Sequence, residues 1–381
     1  MPIASLDAPH PDIELGVARS SLRYLVRTPN AGINCDTGLV LYVAGYGMEP
    51  CDSYAESLLA YLANRYNCVA ASVHYFGANF CAHARLVPLP DFFTALNRHY
   101  GLSISVPPHV DMQQVLRALA ALLEQNGVKE LHPDCRLAVI SDEYNAMGFL
   151  PALDNLQVAH RLLAEHGLNR RRLFVIGTSY GGYIAGLMAK LAPNTFRMVI
   201  DNSGFSSADD DFPGVFGTVQ GWVGGVAMIG KAVRAWSGDP AAGNFFSPPR
   251  RQIRSLLERQ HVYPNTARLY AYHAPADRIA PTERKLRLRE IYAGRVAYDL
   301  EIIDESRLDG RVFKTLAHGM EASMRGLFDL SYEKYLRDGG ALAGETDFDL
   351  GHALAFPCDG EIYELRFSRE AGVRATLAAL G

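Results

Sequence analysis

The chain has few of the features that would narrow its function quickly. Its six cysteines, Cys35, Cys51, Cys68, Cys81, Cys135 and Cys358, are scattered, and none forms a C-x-x-C pair. The usual zinc and dithiol redox motifs are therefore excluded, and no metal or cofactor is expected. Isolated thiols of this kind suit a reducing compartment. No excess of positive charge exists either: 37 Lys and Arg face 41 Asp and Glu, a formal net charge of −4. A global basic field for nucleic acid is absent. No uninterrupted apolar run reaches membrane-spanning length. The opening "MPIASLDAPHPDIELG" has neither the basic nor the apolar segment of a secretion signal. The expectation is a soluble cytoplasmic protein with no nucleic-acid or membrane partner. Repeats and low-complexity linkers are missing too. Nothing in the sequence sets the oligomeric state, and a homodimer stays open.

What is present is ordinary globular composition, 49% hydrophobic and 20% charged over 381 residues, enough for a large core. Short apolar runs alternate with helical periodicity. "GLVLYVAG" (38–45) and "CVAASVHY" (68–75) read as buried strands, and "RLFVIG" (172–177), "RMVIDNSG" (197–204), "ARLYAYHA" (267–274) and "AYDLEIID" (297–304) read as further strands. Between them, 53–66 has Leu58, Leu59 and Leu62 at helical spacing, with Ser53 as a candidate cap. A helix ending near Gly167 carries Leu153, Leu156, Ala159, Leu162 and Leu163 on one face. This alternation predicts an α/β fold with a mostly parallel sheet and helices on both faces. "ELGVARSSLRYLVRTP" suggests an antiparallel edge pair.

Two connections are too long for plain loops. The 76–150 insertion contains a helical pattern at 111–127 and a strand-like "CRLAVIS". The 205–266 insertion holds both tryptophans, Trp222 and Trp236. It is expected to form a helical cap, with Trp222 or neighbouring aromatics lining a pocket. The 341–381 extension suggests a hairpin turning at Asp359-Gly360. The rest reads as one domain, 1–381.

The chemistry concentrates at "VIGTSYGGYIAGLMAK". Gly177-Thr178-Ser179-Tyr180-Gly181 matches G-x-S-x-G between a strand and a helix. Small residues there permit a sharp turn that exposes the serine, and the helix start points amide dipoles at an adjacent anion. A serine nucleophile needs a base, and the base an orienting acid. Asp277 in "AYHAPADRIAP" follows a strand end, and His318 in "LAHGM" precedes a helix. Asp304 and Asp309 lie closer to His318 in sequence and remain competing acids. His74, His273, His160 and His166 sit inside strand or helix patterns and read as structural.

These residues give the chain a resemblance to the α/β-hydrolase superfamily, over about 38–337. "GTSYGGY" is similar to esterases and to the catalytic domain of prolyl-oligopeptidase-like enzymes. "HAPADRIAP" resembles their H-G-x-x-D-x-x-V-P, with Ala274 in place of glycine. The resemblance implies Ser179 as nucleophile, Asp277 as acid and His318 as base. It also implies an oxyanion hole from the N–H of Tyr180 and an N–H in "AGYGMEP", with Tyr46 the first choice and Gly47 the second. The implied partner is a small-molecule or carbohydrate ester, with an acyltransferase, a peptidase and a catalytically silent binding protein as the alternatives. A large propeller ahead of the catalytic domain, typical of the peptidases, does not fit in fewer than about forty residues. "GYGMEPCDSYAESLLAYLANRYNCVAASVHYFG" is further similar to an uncharacterised bacterial family found with flagellin-glycosylation loci. That likeness would imply an acylated sugar or nonulosonic acid. "PPRRQIR" places Arg250, Arg251 and Arg254 on what reads as a solvated helix face, and "NRRRL" as a solvated turn.

Overall fold

A computed structural model describes residues 3–78, 85–105, 111–132, 134–141, 143–208, 218–232, 236–340 and 344–380. Cys81 and residues 209–217 of the second insertion lie outside them. The chain divides into two compact units.

The first unit comprises Met1–Ala78, Ala146–Ala208 and Pro248–Gly381. Its centre is an eight-stranded sheet of β1 (Ile3–Leu6), β2 (Leu22–Arg27), β3 (Gly38–Val43), β4 (Cys68–His74), β5 (Leu173–Thr178), β6 (Met198–Asn202), β7 (Arg268–His273) and β8 (Ala297–Ile302). The spatial order is β1-β2-β4-β3-β5-β6-β7-β8. β1 and β2 pair antiparallel, as do β2 and β4, and every other neighbour is parallel. This order and these directions are those of the α/β-hydrolase fold. The edge pair is made by Ile3–Leu6 with Leu22–Arg27. The stretch around Glu14 takes no part in it, because Asp12 turns it with side-chain acceptance from the N–H groups of Glu14 and Leu15.

Alternation explains why the inner strands are apolar throughout. Val40, Tyr42, Phe174, Ile176 and Ile200 pack with Leu58, Leu59 and Leu62 of α1 (Ser53–Tyr66) and with Leu327 and Phe328 of a later helix, Met324–Arg337. The intervening residues Leu39, Leu41, Val175 and Val199 are equally buried on the other face. There α2 (Phe149–His166) packs on α3 (Tyr180–Leu191), which lies on β5 and β6. The cap of α1 is Asp52 rather than Ser53: its carboxylate accepts the Ala55 N–H at 2.8 Å. A carboxylate one residue earlier reaches the free amides and also suits the positive end of the helix. α2 ends at Gly167 in the left-handed conformation, φ 60°.

After these elements, the C-terminal segment folds as a three-stranded antiparallel sheet of Ala353–Cys358, Glu361–Ser368 and Gly372–Ala379. The chain turns between the first two at Asp359 and Gly360.

The second unit comprises Asn79–Asn145 and Asp209–Ser247, so both insertions build it together. The 205–266 segment departs from the helical reading. Its residues Thr218–Val223 and Val226–Ala232 form a hairpin, and the second strand pairs with Leu137–Ile140 from the other insertion. Helices Phe92–Tyr100 and Met112–Gln125 come from the first insertion, and Leu116, Leu119 and Leu123 pack with Val226 and Met228. The Gly224-Gly225 turn and the β-branched flanks favour a hairpin over a helix there. Trp236 is buried against Tyr144 and Phe246, whereas Trp222 is 66% exposed. Among the described residues no helix is long and apolar enough to cross a membrane.

The arginines of "PPRRQIR" also differ from a solvated face. Arg254 is fully buried and forms an ion pair with the buried Glu14, donating to its Oε1 at 2.8 Å. It also donates to the carbonyls of Ala146 and Arg250, and the Tyr363 hydroxyl donates to Glu14 at 2.6 Å. "NRRRL" is likewise tied down, through Arg170 to Asp349 and through Arg172 to the Tyr66 carbonyl. Removing one member of a buried pair strands the other charge. Glu14→Gln should therefore destabilise the first unit by about 3–5 kcal/mol, read as a lowered urea midpoint. An unchanged midpoint would show that the pair is not buried in solution.

Candidate active site

The site forms at the carboxyl ends of parallel strands, where loops leave an open α/β sheet. Ser179 follows β5 directly and precedes the first residue of α3. Its backbone sits at φ 54°, ψ −122°, a conformation that costs a non-glycine residue about 1–3 kcal/mol. The surroundings hold it there. The Ser179 N–H donates to the Asn202 carbonyl at 2.7 Å, and its own carbonyl accepts the Tyr183 N–H at 3.1 Å. The nearby glycines are demanded by contact. A Cβ at Gly177 would strike the Gly181 carbonyl, one at Gly181 the Val43 carbonyl, and one at Gly182 the Asp201 carboxylate.

Asp277 lies four residues beyond β7, in a loop that leads into α4 (Thr282–Tyr292). One carboxylate oxygen accepts the N–H groups of Ile279 and Ala280 at 2.9 and 3.0 Å. The other accepts from His318 Nδ1 at 2.7 Å. His318 Nε2 then stands 2.8 Å from Ser179 Oγ. Because a carboxylate only accepts, Nδ1 carries the proton and Nε2 is left to accept from the serine hydroxyl. Ser179, His318 and Asp277 are thus brought into one hydrogen-bonded chain. Asp304 and Asp309 are not part of it. Both are exposed, and they accept local backbone N–H groups, from Ser306 and from Arg311, Val312 and Phe313 respectively.

Burial pushes the Asp277 carboxyl up, but the His318 hydrogen bond and the Ala280 and Ile279 N–H groups outweigh it, leaving the group below the usual carboxylate range. The nearby His273 is a structural histidine. Burial lowers its pKa, and its Nε2 donates to the Ala280 carbonyl at 2.6 Å, bracing the loop that carries Asp277.

His318 opens a short turn, His318–Glu321, followed by α5 (Met324–Arg337), which Ser323 caps. Three consecutive residues of that turn have positive φ: Gly319 at 76°, Met320 at 54° and Glu321 at 43°. The fully buried Met320 side chain pins the turn into the core.

Tyr180, the residue after the serine, begins α3. The loop after β3 passes beside the elbow: a methyl group on Gly45 would stand 3.6 Å from the Ser179 Cβ. Tyr46 follows, its ring edge-on to Tyr180 with centroids 5.9 Å apart. Of the two residues expected at the oxyanion hole, Tyr180 follows the serine in the chain and Tyr46 packs on Tyr180. Gly47, the second choice, is exposed at φ 74°.

Away from this site, His99, His132 and Asp134 bring three potential ligand atoms within 4.8 Å, all on exposed side chains. The two rings stack at 3.7 Å with 24° between their planes. The trio's residues follow no ligand-spacing motif in the sequence.

The strand order and directions define an α/β-hydrolase-fold protein, with Ser179 at the turn between β5 and α3. The chain belongs to the family described as "Protein of unknown function (DUF2920)", whose family model matches residues 6–372. No curated protein matches in sequence. Among solved structures, the chain is similar to Est1E from Butyrivibrio proteoclasticus bound to ferulic acid, at 11% identity and a TM-score of 0.45, covering 87% of this chain and 98% of that one. It is similar to Thermogutta terrifontis esterase 2 phosphonylated by cyclosarin, at 11% identity and 0.44, over 84% and 91%. Pyrococcus horikoshii acylaminoacyl peptidase matches at 14% identity and 0.46, over 90% of this chain and 42% of that one. These overlaps are loose, and the fold assignment rests on the strand order and directions above.

Two outcomes follow from the geometry. Ser179→Gly should be more stable than Ser179→Ala by about 1 kcal/mol, because glycine adopts positive φ without strain; equal melting temperatures would show a relaxed elbow. A carboxyl whose folded pKa is depressed contributes stability above its unfolded value, near pH 4, and loses it as pH falls through the folded value. The stability gap between wild type and Asp277→Asn should accordingly shrink from pH 6 to pH 3 in urea unfolding. A gap that stays constant would contradict the depressed pKa.

Proposed function

We propose that the chain is a serine hydrolase that cleaves a small carboxylic ester through an acyl-enzyme. The observation that carries this reading is the unbroken hydrogen-bond chain from Ser179 through His318 to Asp277. Each partner has the geometry its step needs. Ser179 Oγ attacks the acyl carbon while His318 Nε2 takes its proton. Asp277 stabilises the imidazolium and keeps the ring in the tautomer that can accept. The tetrahedral oxyanion is met by the N–H of Tyr180 and that of Tyr46, at the positive end of α3. Collapse breaks the ester C–O bond, and His318 returns the proton to the departing alcohol. Water then attacks the acyl-enzyme with His318 again as base, releasing the acid and restoring Ser179.

The elbow strain supports this reading over a silent scaffold. A serine retained for a turn alone would be better replaced by glycine at φ 54°.

A fluorophosphonate probe should label the wild type and leave Ser179→Ala unlabelled. Hydrolysis of p-nitrophenyl acetate should fall by roughly 10³-fold or more in Ser179→Ala. Asp277→Asn should lose kcat severely while Asp304→Asn and Asp309→Asn keep it. Acylated sugars assayed alongside define the alcohol, and an unblocked oligopeptide should be the slower substrate. Ester turnover surviving in Ser179→Ala, or peptide cleavage without esterase activity, would overturn the proposal.

A further inference from the structure

We infer that Asn202 is a positioning residue that ties the loop carrying the base to the strand end carrying the nucleophile; this rests on the roles proposed for Ser179 and His318. Asn202 is the last residue of β6 and is 1% exposed. Its backbone and its side chain reach different parts of the site. The backbone carbonyl accepts the Ser179 N–H at 2.7 Å. The side-chain Nδ2 donates to Thr178 Oγ1 at 3.0 Å and to the Gly319 carbonyl at 3.1 Å. One residue therefore touches both neighbours of the reacting pair: Thr178 and Ser179 on the elbow, and Gly319 directly after His318.

The amide orientation is fixed by chemistry. The Gly319 carbonyl cannot donate, so the group facing it must be the NH₂. The cost of this arrangement is visible at the other side-chain atom. Asn202 Oδ1 is buried and has no hydrogen-bond partner among the described residues. A buried unsatisfied acceptor is unfavourable, and its retention marks the two donated bonds as the reason for the residue.

The tether has something to restrain. His318 is followed by three residues of positive φ, a conformation that costs the non-glycine residues Met320 and Glu321 about 1–2 kcal/mol each relative to the right-handed one. Within the turn, the Gly319 carbonyl also accepts the Ala322 N–H at 3.0 Å. That second bond lets the turn form without Asn202. Beside the packing of Met320 against the core, Asn202 supplies a hydrogen-bonded link from the turn to β5 and β6, and this link sets the 2.8 Å approach of His318 Nε2 to Ser179 Oγ.

Removing the side chain leaves the backbone bond to Ser179 in place and cuts only the tether. Asn202→Ala should lower kcat for p-nitrophenyl acetate by about 10²-fold, the effect of a small misplacement of the base, with KM little changed. An activity-independent readout accompanies it. The proton between His318 Nδ1 and Asp277 should give a low-field proton resonance in the wild type, assigned by its loss in His318→Gln. In Asn202→Ala it should shift or broaden. Should the alanine variant not fold, Asn202→Leu removes the donors while keeping the volume. A folded variant with wild-type kcat and an unmoved resonance would overturn the tether, even if its melting temperature fell, since that pattern is purely structural. Failure of wild-type Ser179 to react with the fluorophosphonate would sink the hydrolase reading, while the resonance in the Asn202 variant would still decide whether the tether holds His318.

Discussion

Ser179 holds its positive-φ backbone because the tight strand-to-helix turn around it is built on Gly177, Gly181 and Gly182. The first turn of α3 lies so close to β3, β5 and β6 that Cβ atoms at Gly177, Gly181 and Gly182 would collide with a carbonyl or a carboxylate. Close packing of helix on strand is thus the constraint from which the site follows. It forces the sharp turn, the turn lifts the hydroxyl off the sheet edge, and the helix start points its positive dipole end at the same space. The sheet contributes rigidity: β5 lies between β3 and β6, and its residues Leu173 to Ile176 are fully buried. Strain of a few kcal/mol is tolerable on such a platform and would not survive on a surface loop.

Asp277 and His318 are held differently from Ser179. Asp277 is fixed by backbone N–H groups of its own loop, so its carboxylate faces His318. In the proposed reaction, this preorganisation would give the charge developing on the imidazole an oriented partner. His318 depends on tertiary contacts instead, through the buried Met320 and the polar link to β6.

Much of this was legible in the sequence. Parallel strands buried on both faces leave continuous apolar runs, and those runs located β3 to β7 to within a few residues. The elbow was legible because its glycines are sterically required. Asp277 could be singled out because it follows a strand end, and His318 because it lies in the loop between the last strand of the sheet and a helix. Other features were hidden. A buried ion pair such as Glu14 with Arg254 leaves no local pattern, so an arginine-rich helix read as solvated. The 205–266 segment read as helical because its strands complete a sheet begun in another insertion, and pairing across such a distance has no local period. Asn202 was in plain view as a polar residue ending the apolar run "MVIDN", yet one Asn at a strand end is indistinguishable from an ordinary turn residue until its partners are known. The cap of α1 was missed by one position, where two adjacent residues could both serve.

The clasp of Glu14 by Arg254 and Tyr363 also bears on the order in which the chain can fold. Those partners lie 240 and 349 residues away in sequence. During synthesis the Glu14 carboxylate waits, solvated, while most of the sheet is made, and its pocket closes only after the C-terminal strands emerge. Contacts of such sequence separation are slow to form because their loop entropy is lost before they reward it. The elbow and its two flanking strands can assemble early. Locking of the N-terminal segment belongs to the final stage, when strand Glu361–Ser368 brings Tyr363 into place.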